Sequence, residues 1–94
     1  LTLADFEPLV GQCFRIGEGA DVFDARLIQA VDLRESQGVG RRSRQFSLIW
    51  RGPPQMRIEQ RVHRVQHPEL APRDLFLVCI GPDAQGMRYE AVFT

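Results

Sequence analysis

The stretch of sequence that decides the fold runs Asp21-Val22-Phe23-Asp24-Ala25-Arg26-Leu27-Ile28-Gln29-Ala30-Val31-Asp32-Leu33-Arg34. Its side chains alternate with a period of two, which is typical of a β-strand with one buried face. The other face carries most of the charges, and we assign to the buried face Phe23, Ala25, Leu27, Val31 and Leu33. The stretch is long enough to bend, and it predicts a β-rich domain.

Shorter strands are predicted on either side of this stretch. One precedes it at residues 13–16, and others follow at 45–51, 56–66, 75–80 and 87–93. Residues 75–80 are apolar on both faces, which predicts a central strand buried on both sides. Val62 and Val65 cannot share a face of a regular strand, so we expect a turn or bulge near Gln60 or Arg61. Loops are predicted at 35–44, 67–72 and 81–86, and the last needs a positive φ at Gly86.

The first eleven residues predict a short helix instead of a strand. Thr2 can cap its N-terminus, and Gly11 ends the run of apolar residues at helical spacing. Pro8 limits the helix to about one or two turns, because a proline deeper in a helix removes a hydrogen bond. We expect the helix to cover one end of the sheet.

The predicted fold class is all-β, or a β-rich α+β fold, in a single domain over residues 1–94. Strands joined by hairpins, with no crossover helix, indicate an antiparallel meander of five or six strands. A flat sheet would expose one apolar face, so the meander should curl into a small barrel or sandwich. The predicted core contains Phe14, Phe23, Leu27, Phe46, Leu48, Leu77, Val78, Ile80, Tyr89 and Phe93.

Composition excludes several classes of protein. The 94 residues are 44% hydrophobic, which is too apolar for intrinsic disorder. Twelve acids balance twelve bases, so no overall field favours nucleic acid or a membrane surface. All twelve bases are arginine and asparagine is absent, which indicates a GC-rich bacterial genome. Cys13 and Cys79 are far apart, and we interpret them as buried free thiols in a reducing cytoplasm.

Reactive side chains form no recognisable constellation. His63 and His67 would make a metal pair on a helix, but on a strand they lie about 13 Å apart. No serine lies in a nucleophile elbow, and neither cysteine has a histidine nearby in sequence. We interpret residues 81–86 as a turn stabilised by Asp83 rather than a calcium loop. The sequence therefore predicts no enzyme, no metal site and no cofactor.

Charge is distributed unevenly along the chain. Residues 34–64 hold eight arginines and two acids, a net +6, and the remaining residues carry −6. Within this basic segment we predict contacts to a partner or an anion at Arg41, Arg42, Arg44, Trp50 and Arg51. Three interpretations stay open for the arginine cluster: a solvated loop, a protein partner or second copy, and nucleic acid. Overall neutrality and the single nearby aromatic residue argue against nucleic acid.

Three blocks of sequence resemble a known family. They are residues 1–11, the segment Phe46-Ser47-Leu48-Ile49-Trp50-Arg51-Gly52-Pro53, and a tail containing His67-Pro68-Glu69-Leu70, residues 76–83 and residues 86–93. Together they are similar to a family of small bacterial domains of unknown function, about 100 residues long. The resemblance implies no activity and no catalytic residue. The family's association with phage-tail-like gene neighbourhoods implies a structural or assembly role.

The expected function is that of a non-enzymatic protein-interaction or structural module. We expect it in the cytoplasm, as part of a phage-derived or tail-fibre-like assembly, with a protein partner or with copies of itself. The alternative is a small barrel that binds an apolar or anionic small molecule, with Trp50 and Tyr89 lining its interior or mouth.

Overall fold

A computed structural model describes residues 2–33 and 45–93, whose strands close into an antiparallel barrel. In chain order the strands are β1 (Cys13–Ile16), β2 (Phe23–Asp32), β3 (Phe46–Gly52), β4 (Arg61–His67), β5 (Leu70–Asp83) and β6 (Gly86–Phe93). Around the barrel they follow the order β1-β2-β3-β6-β5-β4. The predicted fold class is confirmed, with the barrel rather than the sandwich.

One connection differs from a plain meander. Residues 53–60 do not return the chain beside β3 but carry it across the end of the barrel to β4, which pairs with β1. Two three-stranded meanders therefore meet at two seams, β3 with β6 and β1 with β4. The prediction that Met56 and Ile58 lie in a strand is wrong, because β4 begins only at Arg61.

The N-terminal helix α1 (Leu3–Phe6) covers one end of the barrel, as predicted. The Asp5 carboxylate accepts a hydrogen bond from the Thr2 backbone N–H at 2.8 Å, which closes the first turn. A 3-10 turn follows at Glu7–Leu9 and contains Pro8. Proline is tolerated in the first turn of a helix but disrupts its interior. The Phe6 ring lies 6.1 Å from Phe46 and 5.9 Å from Phe93, and so plugs this end.

Large inward-facing side chains fill the barrel interior. The fully buried ones include Phe14, Ile16, Leu27, Leu48, Trp50, Leu77 and Tyr89. Val78 and Ile80, predicted in the core, are only half-buried, and Val78 lies on the outer face opposite Glu90. Phe93 is half-buried but stacks on Phe46 at 4.3 Å. At the other end of the barrel, the Tyr89 hydroxyl donates a hydrogen bond to the Met56 carbonyl oxygen at 2.5 Å.

A bulge in β2 reverses the predicted faces of its second half. The register shifts between Leu27 and Gln29, so Ala30 pairs with the buried Leu48 and faces inward. The prediction that Val31 and Leu33 share the inner face is therefore wrong. One extra residue in a strand moves every later side chain to the opposite face.

Strand β5 is longer than the sequence pattern indicates. The predicted loops at 67–72 and 81–86 are mostly strand, and β5 joins its neighbours through the two-residue connections 68–69 and 84–85. In the second connection the Asp83 carboxylate accepts hydrogen bonds from the Gln85 and Gly86 N–H groups, as predicted. The positive φ predicted at Gly86 is wrong, and is found at Gly81 instead. Gly86 is needed because a Cβ there would collide with the Gly52 carbonyl oxygen.

The two cysteines are free thiols, but their predicted burial is wrong. Cys13 is exposed because it lies on the outer face of β1, where the burial pattern alternates from the first residue. Cys79 is half-buried and packs against the edge of the core.

Replacement of Leu77 tests the position of β5. Leu77→Ala should lower the free energy of unfolding by about 2–5 kcal/mol, because it empties a fully enclosed position. The neighbouring Phe76→Ala, on the outer face, should cost about 1 kcal/mol or less. Urea denaturation of both variants measures the difference, and equal losses would mean that β5 is misassigned in register.

Candidate interaction surfaces

An apolar patch lies on the outside of the barrel, across β4, β5 and β6. Its exposed members are Val62, Phe76 and Val92, which keep 50%, 51% and 54% of their surface in solvent. Val62 pairs directly with Phe76 across β4 and β5. Val92 lies on the same face, because β5 and β6 pair Val78 with Glu90 two residues further along. We call these three residues the outer patch.

The outer patch continues into half-buried apolar residues. Glu90 pairs with Val78 on one side and with Ile49 on the other, and both of these residues point outward. One face of residues 75–80, predicted to form the central strand, therefore lies on the outside, since in a closed barrel one face of every strand points outward. The prediction that residues 75–80 are buried on both faces is therefore wrong.

A groove of about 650 Å³ opens where β1 and β4 separate. The two strands pair only at Arg15 with Gln66 and at Ile16 with Val65, and one further bond joins the Gly17 N–H to the Arg64 carbonyl oxygen at 2.8 Å. Beyond Gly17 the chain that continues β1 turns away from β4, through the turn at residues 17–22. The groove lies between that turn, the segment 56–59 and the first residues of β4.

Turn geometry fixes where β1 leaves the seam. Gly17 has φ +107°, and a Cβ on it would come within 2.8 Å of the Asp21 carbonyl oxygen. Gly19 has φ +64°. Both positions favour glycine, so the two glycines of the sequence specify the turn predicted at residues 17–20.

Ion pairs cancel most of the charge at the rim of the groove. The Arg64 guanidinium bonds the Asp74 carboxylate at 2.7 Å and lies 3.6 Å from Glu18, and the carboxylates raise the pKa of Arg64. Arg61 pairs with Glu59 at 3.1 Å. The rim of the groove therefore has little net charge, and its apolar lining residues include Met56 and Ile58.

The predicted contact residues fall into three groups. Arg41, Arg42 and Arg44 lie outside the described residues. Trp50 is fully buried, so its ring is not available to a partner at the surface. Arg51 is on the outer face, where its guanidinium donates to both carboxylate oxygens of Asp83, Oδ1 and Oδ2.

The alternative of a small-molecule site beside Trp50 and Tyr89 requires a cavity next to their rings. Both rings are enclosed by protein, and they line neither the groove at the seam nor a second groove of about 520 Å³ beside His67. The narrow interior is occupied by the chain's own side chains.

Both histidines are held by neighbouring groups. The His63 Nε2 atom lies 2.8 Å from the Glu59 carbonyl oxygen. The His67 Nδ1 atom accepts the Glu69 N–H at 3.0 Å, and its Nε2 atom lies 2.8 Å from the Gln12 side-chain oxygen. Within residues 2–33 and 45–93, no group of three histidine, cysteine or carboxylate side chains is placed to hold a metal ion.

Residues 1–93 match a single family along nearly the whole chain. The chain belongs to the family described as Domain of unknown function (DUF6916). This confirms the resemblance to a family of small domains of unknown function. The chain has no significant match among curated proteins or solved structures.

The helical segments that the structure describes in this DUF6916 domain are short. In the part of the chain that the structure describes, no helix has the length and apolar character that crossing a bilayer requires.

Sequence reasoning missed the outer patch and the groove. The signal for the patch was present, because an apolar run on both faces of residues 75–80 must place some apolar side chains outside if the sheet closes. The groove had no local signal. It depends on the pairing of β1 with β4, which are separated by more than forty residues of sequence.

The Arg51–Asp83 pair predicts a specific response to acid. Bonds from Arg51 and from the Gln85 N–H lower the pKa of Asp83 from 3.8 to about 2. A lowered pKa stabilises the fold at higher pH, and that stability is lost as the pH falls from 3.8 towards 2. Asp83→Asn should therefore be less stable than the parent at neutral pH, and the difference should shrink through this window.

Urea denaturation at several pH values measures this effect. Asp24→Asn is the matched control, because Asp24 makes only a loose, exposed contact with Arg15 at 3.8 Å. A stability difference between Asp83→Asn and the parent that is constant from neutral pH to pH 2 would contradict the assignment.

Proposed function

We propose that the chain is a protein-interaction module that docks through the outer patch. The observation that supports this most directly is the exposed pair Val62 and Phe76, each half in solvent on adjacent strands. Contiguous apolar side chains on a monomer's surface are typical of protein contact sites, whereas single ones are ordinary.

The size of the patch indicates how much it can contribute. Complete burial of a valine or phenylalanine side chain is worth about 1.5–3 kcal/mol, and these three are already half covered. Their remaining exposed surface is worth roughly 2–5 kcal/mol when a partner covers it. Because association itself costs several kcal/mol, the partner must also contact the residues around the patch.

Electrostatics has a smaller role in this proposal than the linear charge pattern indicates. Arg51 and Arg64, from the basic segment, pair with Asp83, Asp74 and Glu18 from the acidic remainder. Folding thus cancels much of the charge separation among the described residues. Docking at the outer patch should depend only weakly on salt, since apolar burial and not charge supplies the driving force.

The proposal also concerns what kind of partner the outer patch binds. The family resemblance favours a structural role in a larger, phage-derived assembly over catalysis, and a second copy of the chain is the simplest alternative partner. Either partner would cover an apolar surface on the sheet, and the two are separated by the oligomeric state of the purified chain.

Replacement of Phe76 tests the outer patch. Phe76→Ser should weaken capture of the partner from cells of the source organism at least about tenfold, equivalent to about 1.4 kcal/mol. Val10→Ser is the matched control, because Val10 is similarly exposed, at 43%, but lies after the N-terminal helix. Quantitative pull-down compares the two variants with the parent.

Sedimentation of the same three proteins completes the experiment. A parent that is dimeric and a Phe76→Ser variant that is monomeric would identify a second copy as the partner. A partner that binds Phe76→Ser as tightly as the parent would exclude the outer patch as the docking surface.

A further inference from the structure

The start of β4 has an unpaired backbone edge that faces the groove. The Arg64 carbonyl oxygen points away from β5, because it accepts the Gly17 N–H of the opposite seam. Backbone directions in a strand repeat every two residues, so the N–H and C=O of Val62 point the same way. On this side β1 has already left β4 through the turn at Gly17.

No group of the described chain uses the Val62 N–H. The Val62 carbonyl oxygen accepts only the exposed Arg61 guanidinium, at 3.1 Å. That side chain is easily displaced, because it is well exposed and its other partner, Glu59, is exposed as well. The Val62 N–H and C=O are therefore available as a backbone donor and a backbone acceptor in the groove.

We propose that this edge accepts an extended peptide segment of another protein, which adds to β4 as a strand. The segment would run antiparallel to β4 and continue the line of β1, which is itself antiparallel to β4. Strand addition to an exposed sheet edge is a common mode of peptide recognition. The inference shares Val62 with the outer patch, but it concerns the backbone of that residue and the groove, and it does not involve Phe76.

The walls of the groove define the chemistry of the peptide. Alternate side chains of an added strand point to opposite sides, so one set can contact the apolar lining residues Phe23, Met56 and Ile58. The groove's volume of about 650 Å³ is ample for two or three such side chains. At the rim, Arg57 and Asp21 make no ion pair among the described residues, so one positive and one negative group remain free. We expect a peptide that alternates apolar and neutral polar residues, bound with little dependence on salt.

Capped heptapeptides that alternate threonine with valine, leucine or phenylalanine are suitable probes. Added to the isotope-labelled full chain, they should shift the amide resonances of Gly17, Val62 and Arg64. They should also slow hydrogen exchange of the Val62 N–H about tenfold, because that group gains a partner. The same peptides N-methylated at alternate residues, on the edge that faces β4, should bind about fivefold or more weakly for each lost backbone bond.

Two variants at one position separate the backbone from the side chain. Val62→Pro removes the N–H that faces the groove without removing a bond of the β4–β5 ladder, and should abolish the shifts. Val62→Thr keeps the N–H and a β-branched side chain, and should bind normally. Circular dichroism checks that both fold, and if Val62→Pro does not, the N-methylated peptides decide.

Each remaining outcome overturns the inference. Equal binding of methylated and unmethylated peptides, or shifts confined to Met56 and Ile58, would indicate a pocket for a single apolar group. A protected Val62 N–H in a dimer without peptide would mean that a second copy occupies the edge. No shift at millimolar peptide would mean that the edge binds nothing. Phe76→Ser should bind the peptides like the parent, so failure of the outer patch leaves this test unaffected.

Discussion

Closure of the sheet at the β1–β4 seam is the constraint on which the other features depend. The seam consists of two residue pairs and one bond from Gly17, yet it converts an open six-stranded sheet into a barrel. Once the sheet is closed, each strand has one face inside and one outside. The side chains on the inner faces of the strands then have to fill the interior.

That filling explains why Trp50 and Tyr89 are core residues. A barrel of about eight strands is just wide enough to be packed with side chains or to hold one small ligand, and six strands enclose less. Trp50 packs edge-on against Phe14 at 5.5 Å, and Tyr89 lies 5.5 Å from Phe23, so aromatic rings span the interior. Burial raises the pKa of Tyr89 to about 12, and its hydroxyl donates a hydrogen bond to the Met56 carbonyl oxygen.

The sequence predicted the parts of the fold that depend on local chemistry. Alternation identified β1, β2, β3 and β6, and the N-terminal signals identified the helix, because these patterns repeat along the chain. Prediction from the sequence failed where strand pairing overrides a local preference. Pro72 and Pro82 indicate loops, but each lies at or next to a register shift of β5, where the ladder is irregular and a missing N–H costs little. The β2 bulge at Ile28 leaves no local mark, since apolar residues occur on both sides of it.

Candidate sites were harder to predict than the fold, for a related reason. Charged side chains attract attention in a sequence, but Arg51 and Arg64 are used by the fold to bind Asp83 and Asp74. The features on which the two proposals rest are apolar or belong to the backbone: Val62, Phe76 and Val92 outside the barrel, and the Val62 N–H at the seam. With its interior filled by side chains, the described part of the barrel presents to solvent its outer faces, its incomplete seam and the groove beside His67. An apolar sheet face and a strand edge are both complementary to protein surfaces, which supports the proposal of a polypeptide partner.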